Sequence, residues 1–102
     1  MIRGRFADVI RRQLDLFEQE HAELIGECDA AEDAYDRADR DEAEERYGDY
    51  LDLVETGTEL IAGLRDNYAS TMDEETAEEY LEEFNHTVRV RLPRFALEIE
   101  DL

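Results

Sequence analysis

Lysine and tryptophan are absent from these 102 residues, and cysteine and proline occur once each, at Cys28 and Pro93. A lone cysteine excludes an internal disulfide and any cysteine-rich zinc site; on a helix face such a thiol behaves as a small buried apolar group. A lone proline near the C-terminus leaves the rest of the chain without the strongest helix breaker. No apolar run approaches the ~20 residues that cross a bilayer, and the N-terminal Met1-Ile-Arg-Gly-Arg-Phe6 lacks the apolar core of an export signal. A cytoplasmic location is therefore expected. A glycine-rich phosphate loop, a serine-centred elbow and a zinc-protease motif are also missing. No reaction is named by the residues, no cofactor is expected, and the chain reads as non-catalytic.

What it has in excess is carboxylate: 30 Asp and Glu against 11 Arg, a net charge of −19. Such a chain repels nucleic acid and anionic membrane surfaces, which drop out as partners. A basic protein partner or cations remain. Many carboxylates, with arginine in place of every lysine, would also suit a salt-adapted cytosol or a GC-rich genome, and then the charge speaks to solubility. At 42% hydrophobic residues the sequence is too apolar for a disordered acidic tail, and its length suits one domain. Residues 1–17 balance to +2, 18–59 to −14, 60–86 to −7 and 87–102 to zero. In an up-down-up bundle the Arg3/Arg5/Arg11/Arg12 and Arg89/Arg91/Arg94 groups are expected at opposite ends.

Apolar positions recur at helical spacing. Phe6, Ile10, Leu14, Phe17, His21, Leu24, Cys28, Ala31 and Tyr35 step by three and four, predicting one amphipathic helix over about residues 5–36. A second stripe, Ala43, Tyr47, Tyr50, Val54, Gly57, Ile61, Leu64 and Tyr68, predicts a helix over about 41–70, with Asp39 or Asp41 as its cap. Gly57 on that seam is expected to permit close helix contact. Asp73 with Glu74 and Glu75 opens a third helix over about 74–92, faced by Ala77, Tyr80, Leu81, Phe84 and Val88 and ended by Pro93. Thr87 to Leu92 also alternates as an extended segment would. The tail 93–102 carries Phe95, Ala96, Leu97 and Ile99, apolar enough to pack back.

The expected fold is therefore all-α: an antiparallel three-helix bundle, two long helices forming a hairpin and a shorter third helix. Two such stripes exceed what a short third helix covers, so a homodimer is expected, through Phe17, Leu24, Tyr47, Tyr50, Val54 and Ile61. The five tyrosines lie mostly on seams, as in a helical core or helix-mediated interface. The leading functional reading is an oligomerisation or protein-interaction module.

One pattern points to different chemistry. Glu-x-x-His occurs twice, as Glu18/His21 and Glu83/His86. Residues three apart share a helix face, which is how di-iron carboxylate bundles assemble a metal site. With Glu55 and Glu59 from the second helix, this gives the alternative of a ferritin-like half-bundle that binds metal. Against it, acids fill nearly a third of the positions, so an acid three residues before a histidine is common by composition. His21 lies on the seam, whereas His86 falls two residues after Phe84 and two before Val88 and should face solvent.

Overall fold

The helix-forming stripes do form helices, but not in the number the periodicity suggests. The computed structural model describes residues 4–96, so the expected packing of Leu97 and Ile99 lies outside the described residues. Four helices follow in order, α1 (Ala7–Glu20), α2 (Ala22–Asp36), α3 (Ala43–Ala69) and α4 (Glu74–Arg91), and a 3-10 turn covers Pro93–Phe95. The described residues contain no strand, so the chain is all-α. The alternating Thr87–Leu92 segment is helical through Arg91.

The single helix expected over 5–36 is two, broken at His21, whose φ of −118° and ψ of 28° leave the helical region. The stripe is blind to this break because the ladder closes on both sides of it. The His21 N–H donates to the Phe17 carbonyl at 2.9 Å, and the Ile25 N–H donates to the His21 carbonyl at 3.0 Å. The side chains that surround the break are aromatic. The His21 ring lies 5.0 Å from the Phe17 ring, and Phe17 meets Phe95 edge-on at 5.9 Å. Above the break α2 runs along α3; below it α1 also meets α4. One straight helix would not follow both neighbours.

Local chemistry sets the other ends. Neither Asp39 nor Asp41 caps α3 with its side chain; instead the Asp39 carbonyl accepts from the N–H groups of Glu42 and Ala43 at 3.0 and 2.9 Å. After α3, the hydroxyls of Ser70 and Thr71 donate to the Asn67 and Tyr68 carbonyls, both at 2.7 Å, which occupies acceptors the helix end leaves open. Asp73 caps α4 by accepting from the Thr76 N–H at 2.8 Å, and that bond holds its carboxyl below the usual carboxylate range. Arg89 and Arg91 close α4 where cations suit the helix dipole. Pro93 then prevents continuation, and Leu92 turns out of the helix.

The core forms where α1, the C-terminal half of α3, α4 and the 3-10 turn converge. Ile10, Leu14, Cys28, Ile61, Tyr80, Phe84 and Val88 are fully buried, with Phe17, Val54, Phe95 and Ala96 nearly so. Each such Val, Leu, Ile or Phe side chain contributes on the order of 1.5–3 kcal/mol through burial. Tyr80 is the hub, touching the rings of Phe6, Tyr68 and Phe84 at 5.4, 5.0 and 5.6 Å, and its hydroxyl donates to Gln13 Oε1 at 2.8 Å. Arg65 is buried here too, its guanidinium held by Asp66 at 2.8 Å and by Asn85 at 3.0 Å. Gly57 does not admit a neighbouring helix backbone, as expected, but seats the Phe95 ring: a Cβ at this position would collide with it.

The other half of the hairpin is different. From Asp29 to Leu53 no residue is buried, although 29–36 and 43–53 are regular helix. The described chain is accordingly elongated, 50 × 26 × 24 Å. Inner and outer tiers here mean the part around the core and the part built from residues 33–51.

Candidate functional site

The arginines organise the inner tier. Arg5 pairs with Glu79 near the start of α4, whereas Arg91 and Arg94 at its far end pair with acids of α1 and α2. Arg91 in the last turn of α4 reaches across α1, bonding Asp15 at 2.5 Å, Glu18 at 3.1 Å and the Arg11 carbonyl at 3.4 Å. Arg94, in the 3-10 turn, reaches α2 and α3: it meets Asp29 at 2.9 Å and Glu32 at 3.3 Å, and its Nε donates to the Tyr50 hydroxyl at 3.2 Å while the guanidinium lies over the Tyr50 ring. Partial burial opposes both charges, but the carboxylate and phenol bonds outweigh it and hold both arginines above their ordinary pKa. The reason for the reach of Arg91 and Arg94 is topological. α4 lies beside α1 and leads straight into the turn packed on the hairpin, so the C-terminal arginines meet the middle of the α1–α2 segment. Between these arms lies a cleft of about 530 Å³, lined by Ile25, Glu32, Tyr50, Arg91, Leu92, Pro93, Arg94 and Phe95. Arg94 links Tyr50 and Glu32 within it while Arg91 bonds α1, which makes it a clasp joining the C-terminal turn to the hairpin.

The six residues of the metal alternative are distributed over separate tasks. Glu18 is paired with Arg91. His21 sits half-buried at the helix break against Phe17. Glu55 and Glu59 are exposed on α3. Glu83 accepts the Phe6 N–H through both carboxylate oxygens at 3.2 Å, so it caps α1 from α4, where a carboxylate suits the positive end of the helix dipole. His86 is exposed, as its place on the helix indicated. Among the described residues, no group of three or more His, Cys, Asp or Glu side chains is arranged to hold a metal ion. Cys28, far from His21 along the helix axis, is buried, and burial pushes its thiol pKa up. That disfavours the reactive thiolate.

The expected interface residues divide more informatively. Phe17, Val54 and Ile61 are buried within the chain's own core. Tyr50 is half-buried beneath Arg94, and Leu24 is half-buried on α2. The stripes alone do not reveal the cover that α4 and the Phe95 turn supply. Tyr47 alone of the six is exposed, at 45%. Tyr35 (38%) and Leu51 (36%), not among the six, are exposed with it. The Tyr35 and Tyr47 rings touch at 5.2 Å across the hairpin, and Leu51 lies one turn along α3 from Tyr47.

The outer carboxylates are also treated differently from the inner ones. Residues 33–51 carry eight acids and three arginines. All eleven are exposed. One ion pair forms among them, Arg37 with Asp33 at 3.4 Å; the remaining carboxylates of the outer tier have no cationic partner among the described residues. In the inner tier, Arg5, Arg91 and Arg94 pair with Glu79, Asp15, Glu18, Asp29 and Glu32. The signal for the clasp was present in the sequence as two acid pairs at i and i+3, Asp15/Glu18 and Asp29/Glu32. Only the fold matches each pair to its arginine.

No helix among the described residues is long and apolar enough to cross a membrane. Comparison with protein families, with characterised proteins and with solved structures finds no match for this chain.

Proposed function

We propose that the chain is a non-catalytic interaction module that binds another polypeptide through the outer half of the α2–α3 hairpin. The observation that supports this reading most is the run from Asp29 to Leu53 without one buried residue. Two helices joined without a core contribute little stability of their own, yet this arm carries large side chains at its surface. Exposed Tyr and Leu grouped in one place are what a binding face presents. A homodimer is the narrower form of this reading. Its seam is reduced to the outer residues, because Phe17, Val54 and Ile61 are covered within one chain.

The test is photo-crosslinking in the cells that make the protein, with a photoreactive residue in place of Tyr47 and, as control, in place of Glu20. A discrete adduct from position 47 that is absent from position 20 is the expected result. A chain that yields no adduct from position 47 overturns the proposal.

A further inference from the structure

We propose that the outer hairpin docks a basic amphipathic helix of a different protein, with the partner's apolar side chains on Tyr35, Tyr47 and Leu51 and its Arg or Lys residues against the surrounding carboxylates. This rests on the interaction reading and adds the chemistry of the partner.

Three observations carry it. The first is the patch itself, a tyrosine pair in ring contact with a leucine one turn away, all three exposed. Tyrosine offers a large rigid contact at small entropic cost and keeps its hydroxyl at the wet rim. The second is charge. The rim of this patch carries eight acids and three arginines, all exposed, with a single ion pair among them. The rim's surplus of five negative charges is thus available to a partner, and it would speed the approach of a basic one. The third is what that surplus excludes. A second copy would set two such rims against each other, and like charges facing across an interface oppose association. The shape favours a helix, because the face is built from two antiparallel helices and offers no strand edge to extend.

The probe is a synthetic amphipathic peptide with leucines at helical spacing and arginines on both flanks. Two controls accompany it, one with every Arg replaced by Glu and one with every Leu replaced by Ser. Each is titrated into the full chain, with affinity from calorimetry and the site from backbone amide shifts. The Arg/Leu peptide is expected to shift amides within residues 31–51, to bind at least about tenfold more tightly than either control, and to lose about tenfold on Tyr47→Ser/Leu51→Ser. Equal binding by the Leu-to-Ser peptide, or by the double variant, overturns the proposal by reducing the effect to bulk charge; so does an absence of binding. The crosslinking experiment separates this failure from that of the parent reading. An adduct of twice the chain's mass would keep the interaction module and overturn the basic partner.

Discussion

The two ends of α3 obey one helical pattern and end in opposite environments. From Val54 onward, Val54, Gly57, Thr58, Ile61 and Arg65 are all buried; before it, Tyr47 and Leu51 at the same spacing are exposed. The difference is not in the stripe but in what stands opposite it. α4 and the Phe95 turn pack on α3, with the Phe95 ring seated at Gly57, while the outer half faces α2 through the Tyr35–Tyr47 contact. A hydrophobic stripe thus guarantees a helix with a face to bury, without saying how much of the cover comes from the same chain.

That contrast predicts a steep gradient of mutational cost. Phe84→Ala, in the centre of the inner tier, should cost about 3–5 kcal/mol through lost burial and the cavity left behind. Urea unfolding followed by circular dichroism measures it, and a cost near zero would deny that the inner tier holds the fold. Gly57→Val fills the seat of the Phe95 ring and should cost about 1–3 kcal/mol by overpacking. The same titration should be compared with Gly63→Val, where a Cβ meets open space; equal costs would mean that the ring does not occupy that seat.

A pH titration probes the hub of the same tier. Burial pushes the Tyr80 phenol up to about 12 from an ordinary 10.0. The fold therefore prefers the neutral phenol. Its contribution is fully present below pH 10.0 and is lost as the pH rises from there to about 12. Unfolding free energies taken across that window should fall with pH, and Tyr80→Phe should fall less steeply; parallel curves would remove Tyr80 as the cause. Smallest of all is the outer tier. Tyr47→Ser and Leu51→Ser should each change monomer stability by no more than about 0.5 kcal/mol, since neither side chain is buried. A large loss at either would erase the distinction between a structural inner tier and a surface available for binding.

The elements differ in how openly their sequence displayed them. The start of α4 was legible because its signal is local: Asp73 accepts from an N–H three residues on, and both groups lie in one short segment. The break at His21 was not, because the apolar stripe passes through it in phase and no glycine or proline marks it. Glu83 and Glu18 read equally well as metal ligands from Glu-x-x-His spacing. Their tasks as the α1 cap and an arginine partner depend on residues more than seventy positions away in sequence. The same is true of the interface residues. Phe17 and Ile61 have the period of a seam, and period cannot distinguish a seam facing α4 from one facing a second protein.

The sequence by itself determined the helical class, the stops and caps that act within one turn, such as Asp73, and an excess of acidic charge. Those properties are set by backbone periodicity, short-range hydrogen bonds and net charge, none of which needs a distant partner. Tertiary structure alone decided which apolar stripes are covered, which acids the arginines neutralise, and where the uncovered tyrosines gather. Each of those depends on contacts between residues remote in the chain. Tyr35, Tyr47 and Leu51 are left exposed on the outer hairpin for that second reason.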